Sequence, residues 1–215
     1  MFILNQQNSI ANQYLAELRQ LKVQDDRMRF RKNLERLGEI MAYEISRKLA
    51  YAPLEVESPL ATITTEVPAE QPVLLTILRA GVPFYNGFSN FFDKADTGFI
   101  GAYRAPHTSA KDLTVAMDYA SVPPIEGRPL IIIDPMLATG KSMLMALELL
   151  LQQGKPSHIY VASVIAAPEG VTYLQRNLQA NFSIWTCALD DRLDERAYIV
   201  PGLGDAGDLA YGPKI

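Results

Sequence analysis

The segment Leu130-Ile131-Ile132-Ile133-Asp134, four apolar residues running without a break into an acid, constrains the fold more than any other part of the chain. A β-branched run with no polar face fits a strand covered on both sides, as in a parallel sheet flanked by helices. A short loop of small residues follows, then a helical pattern from Met143 to Gln153. Sheets built from such strand–loop–helix units bind ligands beyond the carboxyl ends of their strands. The loop Ala138-Thr139-Gly140-Lys141-Ser142 offers backbone N–H groups, two hydroxyls and the start of a helix, which are the parts of a phosphate cradle.

Gly140-Lys141-Ser142 imitates the end of a Walker A loop, but that motif needs a glycine five residues before its Gly-Lys pair. Pro135 stands there, and no glycine lies between Arg128 and Thr139. An ATPase-type loop is therefore set aside. Asp134 instead suits a pair of ribose hydroxyls, because a carboxylate accepts hydrogen bonds from both.

At 215 residues the chain makes one domain, or one domain with an arm, with enough length to bury a sizeable core. Its net charge of −4 provides no basic field for nucleic acid or anionic lipid, so neither is an expected partner and any phosphate must be held by local donors. A single Cys187 rules out a disulfide framework, and with only His107 and His158 beside it a zinc site is not expected. No apolar run approaches a membrane span, and no basic region precedes the first apolar residues. A cytoplasmic location is the expectation.

Along the chain, residues 9–20 and 26–50 read as helices, the second with Asp25 or Asp26 as N-cap and with Arg27, Arg29, Arg31 and Lys32 as a solvated face. Prolines at 53, 59, 68 and 72 make any strands in 51–72 short and edge-like. Strand–helix alternation then begins. Strands are predicted at Val73–Leu78, Thr97–Tyr103, Leu113–Tyr119, Pro129–Ile133, His158–Ala166 and Phe182–Leu189. Helices are predicted at Gly81–Phe92, Ser142–Gln153 and Pro168–Leu178, with Gly154 as the C′ residue of the second. The pattern implies an α/β fold with a doubly wound, mostly parallel sheet. Residues 190–215 are glycine-rich and show little periodicity.

Five segments in this order resemble the uracil phosphoribosyltransferases: Ile77-Leu-Arg-Ala-Gly81, Ala102-Tyr-Arg104, Asp134-Pro-Met-Leu-Ala-Thr-Gly140, Ala166-Ala-Pro-Glu-Gly170 and Tyr198-Ile-Val-Pro-Gly-Leu-Gly-Asp-Ala-Gly-Asp208. The phosphate loop alone indicates a type I phosphoribosyltransferase, and the tail narrows it to the uracil branch. The resemblance implies one domain over 1–215, with a helical arm at 1–50, a core at 73–189 and a base-binding hood at 190–215. It also implies a reaction. Uracil attacks the anomeric carbon of 5-phospho-α-D-ribose 1-diphosphate, diphosphate leaves and UMP forms, with Mg2+ carried by the diphosphate rather than by a protein metal site. The family forms homodimers or larger homo-oligomers, and some members respond to GTP. The apolar face of the arm is the expected dimer surface.

By this resemblance Arg79 and Arg104 contact the diphosphate and act with Asp205 as the catalytic group. The lesser alternative for Arg79, an arginine at a strand end, is half of a surface ion pair. Arg104 opens a polar loop with His107, Thr108, Ser109 and Lys111, which reads as a lid that excludes water or as an ordinary solvated loop. Asp134 takes the ribose hydroxyls or caps a helix, and Pro135, Met136, Leu137, Ala138, Thr139, Gly140, Lys141 and Ser142 form the rest of the sugar-phosphate site. Relatives usually have glycine at the position of Lys141, so a positive φ there would strain a lysine by about 1–2 kcal/mol. The backbone at Ile199, Gly204, Asp205 and Ala206 faces uracil, and Asp208 orients that loop. Leu209 replaces a basic residue and Tyr211 a phenylalanine; Leu209 reads as a lost phosphate contact or, the preferred reading, as a lost surface charge. Lys141 and Leu209 motivate the alternative of a non-catalytic phosphoribosyl-diphosphate or nucleotide sensor with the same fold.

Overall fold

The computed structural model describes residues 1–104 and 115–213, and side chains at all of these except 102–104 and 115–118. The chain opens with a short strand β1 (Phe2–Ile3) and the helices α1 (Ile10–Arg19), α2 (Leu21–Gln24) and α3 (Arg27–Ser46). Strands β2 (Tyr51–Glu57) and β3 (Thr62–Pro68) follow, and then β4 (Val73–Leu78), α4 (Val82–Phe91), β5 (Thr97–Arg104) and β6 (Val115–Ser121). The second half contains β7 (Pro129–Ile133), β8 (Met136–Leu137), α5 (Lys141–Leu151), β9 (His158–Ala166), α6 (Pro168–Asn177) and β10 (Phe182–Leu189). The tail forms β11 (Arg192–Leu193), β12 (Ile199–Val200) and α7 (Ala206–Tyr211).

The main sheet runs β1-β10-β9-β7-β4-β5-β6, with β8 also paired to β9, and all its pairings are parallel except β5 with β6. The doubly wound, mostly parallel sheet is therefore as predicted. Strand alternation divides the core between two faces. Leu74, Ile131, Ile133, Ala162 and Val164 pack with α1, α3 and α4, whereas Leu75, Leu130, Ile132 and Val161 pack with α5 and α6. From β4 the chain steps to β5 on one side and later to β7 on the other. That reversal opens a crevice beyond the carboxyl ends of β4 and β7.

Four readings change. The apolar face of the arm is mostly spent within the single chain: Phe30, Leu34, Leu37, Met41 and Ile45 are at most 1% exposed, while Met28 and Tyr43 of the same helix stay exposed. The solvated basic face is only partly so, since Arg31 donates to the Ala210 carbonyl at 2.7 Å. Residues 51–72 form a full seven-residue antiparallel hairpin, β2 with β3, that leaves Leu54 and Ile63 about half exposed. Gly154 has no positive φ; a Cβ there would lie 3.2 Å from the Glu126 amide, so close packing accounts for the glycine. Asp26 does cap α3, accepting from the Arg29 amide at 3.0 Å. No helix among the described residues is long and apolar enough to cross a membrane.

Candidate active site

The phosphate-loop residues occupy the crevice floor. Asp134 follows β7, half-buried, and its Oδ1 accepts the Met136 amide at 3.5 Å. It caps no helix, because the N-cap of α5 is Gly140. Pro135 is clamped through its carbonyl by the Val164 and Ile165 amides, and Met136 and Leu137 pair with β9. Leu137 and Ala138 are nearly sealed, at 1% and 4% exposure, so only their backbone is available to a ligand.

Gly140 is the left-handed residue of the loop, with φ +77°, and a Cβ there would stand 2.9 Å from the Gly170 carbonyl on α6. Backbone conformation and close packing both demand glycine at this point. Lys141 is the first residue of α5, so the strain anticipated for a lysine falls on Gly140 instead. Its ammonium forms no ion pair among the described residues. No side chain caps α5 and no acid occupies its first turn; the Lys141 amide makes only a long 3.4 Å bond to Thr139 Oγ1. Ser142 follows directly. An uncapped helix start without nearby negative charge is suited to an anion.

Arg79 follows β4 at the other lip. Both hydrogen bonds of its Nη2 go to the tail, at 2.9 Å to Asp208 Oδ1 and 2.6 Å to the Gly212 carbonyl. The Tyr211 ring lies 6.0 Å from both the Arg79 and Arg31 guanidinium carbons. Burial pushes the Tyr211 hydroxyl above its usual pKa, against the pull of Arg31 and Arg79. Arg104 closes β5 at the same edge of the sheet, but its side chain and the 105–114 loop, including His107, Thr108, Ser109 and Lys111, lie outside the described residues.

The tail is more ordered than its composition suggests. Asp205 caps α7, its Oδ1 accepting the Gly207 and Asp208 amides at 2.9 and 3.0 Å. Ile199 is buried in β12. Gly204, at φ +92°, faces open space: a Cβ there would meet only Leu209 Cδ1, at 3.6 Å. Ala206 is buried at the start of α7. Leu209 is not a surface residue: it packs, partly buried, against the core.

Three arm residues that sequence reasoning missed hold this tail. Arg19 Nη1 donates to the Gly202 carbonyl at 2.9 Å, and its guanidinium grips Asp190 at 2.6 and 2.8 Å. Asp190 in turn accepts the Gly202 amide at 2.8 Å. Gln24 donates to the Leu203 carbonyl at 3.2 Å, and Arg31 reaches Ala210. The position of Asp190, just past the last core strand, was the available signal.

The family model of uracil phosphoribosyltransferase matches residues 5–213. This chain belongs to that family. The uracil phosphoribosyltransferase of Porphyromonas gingivalis is 46% identical over 212 residues, covering 99% of this chain and 98% of the relative. That of Methanothermobacter thermautotrophicus is 40% identical over 185 residues, covering 85% and 83%. Among solved structures, the AQ2163 protein of Aquifex aeolicus superimposes with a TM-score of 0.87 at 28% identity over the whole of both chains. A hypoxanthine phosphoribosyltransferase of Staphylococcus aureus shares the fold, with a TM-score of 0.50 at 12% identity over 80% of this chain and 85% of its own. The family's type I phosphoribosyltransferase fold is thus the fold of this chain.

Proposed function

We propose that this protein transfers the phosphoribosyl group of 5-phospho-α-D-ribose 1-diphosphate to uracil, giving UMP and diphosphate in pyrimidine salvage. The observation that carries this reading is the meeting, at one topological reversal, of an uncapped helix start, Asp134 and Arg79 beneath a tail whose sequence is that of the uracil branch. Ala138 to Ser142 hold the 5′-phosphate through amides and hydroxyls, Lys141 adding a positive charge. Asp134 accepts the ribose hydroxyls, and Arg79 and Arg104 face the diphosphate.

The N1 nitrogen of uracil, whose N–H bond breaks with loss of the proton to solvent or to the departing diphosphate, bonds to the anomeric carbon as the carbon–oxygen bond to diphosphate breaks, with the electron pair leaving on oxygen. The carbon passes through a state with oxocarbenium character, so alignment and charge balance carry the catalysis. Backbone groups at Ile199 and Gly204–Ala206 read the acceptor–donor–acceptor edge of uracil. Cytosine reverses two of those groups and would leave buried partners unpaired. Magnesium, when bound to the diphosphate, neutralises charge on the leaving group. The second carboxylate oxygen of Asp205 carries no hydrogen bond among the described residues, so Asp205 is the residue that would help hold the magnesium when it is bound.

The protein is proposed to act in the cytoplasm, a reading supported by a lone, buried Cys187 that fits reducing surroundings. It is also proposed to pair with a second copy of itself. The sensor alternative loses its motive, since Lys141 is unstrained and Leu209 is packed. The test is labelled uracil with the sugar diphosphate and magnesium, beside cytosine, hypoxanthine and orotate, with GTP added in one arm. UMP from uracil alone is the expected result. Binding of the sugar diphosphate without product from any base would replace the enzyme with a sensor.

A further inference from the structure

Arg79 is held by an element that belongs to the other half of the site. Asp208 Oδ1 and the Gly212 carbonyl take the two hydrogen bonds of Nη2, at 2.9 and 2.6 Å, and the Tyr211 ring flanks the guanidinium. Among the described residues the remaining donors are uncommitted: Nε is buried with no hydrogen-bond partner, and Nη1 makes no hydrogen bond. A buried donor left unpaired is costly, and it is kept where a ligand completes it. A guanidinium has five donors in one rigid plane, so fixing one nitrogen fixes the direction of the others. The residues doing the fixing lie on α7 and, for Gly212, at its C-cap; α7 begins where the base-facing backbone of 204–206 ends.

We propose that Asp208 is a positioning residue for the diphosphate: by holding Nη2 from the hood, it sets Arg79 so that Nε and Nη1 meet the leaving group. This rests on the reading of Arg79 as a diphosphate ligand. Asp208 is separable from the fold of the hood, because Asp205, not Asp208, caps α7. The pair is also partly exposed, at 36% for Arg79 and 40% for Asp208, so it contributes little to stability.

Asp208→Ala and Asp208→Asn are assayed for UMP formation with each substrate varied in turn, and for binding of the sugar diphosphate by calorimetry without base. Loss of a hydrogen bond to a charged group predicts a rise of about tenfold in KM and Kd for the sugar diphosphate in Asp208→Ala. The uracil KM is expected to move by less than about twofold, and Asp208→Asn, which keeps an acceptor oxygen, to recover about half of the loss on a logarithmic scale. Asp208→Ala in an Arg79→Lys background should cost much less than it does alone. Equal rises in both KM values would reduce Asp208 to a structural prop of the hood. A lower KM for the sugar diphosphate would make it a competitor for Arg79. Either result overturns the proposal, as does an unchanged KM. Failure of the underlying reading is distinct: the wild-type protein would then make no UMP.

Discussion

At Gly140 two independent constraints coincide, a left-handed backbone and a carbonyl 2.9 Å from where a Cβ would stand. Gly140→Ala is therefore expected to lower stability by about 1–2 kcal/mol from the backbone alone, with a further penalty from the contact, as measured by urea unfolding. Asp205 combines a cap with a charge. Asp205→Ala should cost about 1 kcal/mol of stability, whereas Asp205→Asn, itself a good cap, should keep the stability and still lose turnover if the charge matters to the reaction. Much at this scale was legible. Asp134 at a strand end and the small residues of 138–142 announced themselves by chemistry and position. Lys141 did not, because which of two adjacent residues takes a positive φ is decided by how the loop meets α6. The cap at Asp205 was hidden inside a segment read only as a base-binding loop.

Between elements, the arm is fastened by side chains that a sequence presents as ordinary surface charge. Arg29 and Asn33 of α3 bind Glu17 of α1 at 2.7–2.9 Å. These hydrogen bonds, Arg29 first, lower the Glu17 carboxyl to about 2 from its usual 4.5. Between those values the unfolded chain binds a proton that the folded chain does not, so stability rises with pH across this window. The wild-type protein should lose stability as pH falls from about 4.5 towards about 2, and Glu17→Gln should flatten that part of the profile in acid denaturation followed by circular dichroism. The Arg19–Asp190 pair is more deeply set, with the Asp190 side chain 4% exposed. Arg19→Ala leaves that carboxylate buried without its counter-ion, held only by the Gly202 amide, for an expected loss of about 3 kcal/mol and a raised uracil KM as the Gly202 carbonyl is released. Helices and strands were legible because hydrophobic period and strand–helix alternation are local signals. The six-residue α7 was not, since it is too short for a hydrophobic period, one of its residues is glycine, and its partners Arg31 and Arg79 lie far away in the sequence.

For the whole molecule, the fold class and its consequence, a site beyond the carboxyl ends of the strands, followed from alternation of buried strands and helices. The surface left for a second copy did not. Apolar residues on α3 carry the period of an interface, yet most of them are buried within the chain, and exposed apolar residues include Leu54, Leu60 and Ile63 of the β2–β3 hairpin as well as Met28 and Tyr43 of α3. If two copies meet at the hairpin, Leu54→Lys with Ile63→Lys should convert a dimer into monomers in sedimentation, with the phosphate-loop core unchanged. The arm's grip on the tail has another consequence. Arg19 and Gly202 are 183 positions apart, and Arg31 and Ala210 are 179 apart. A chain being synthesised exposes its first helices and its phosphate loop while the tail is still inside the ribosome, and such distant pairings form slowly. On the site assignment proposed above, the nascent polypeptide thus acquires the machinery for a sugar phosphate before anything that distinguishes one pyrimidine from another, and base selectivity is the last property it gains on its way to maturity.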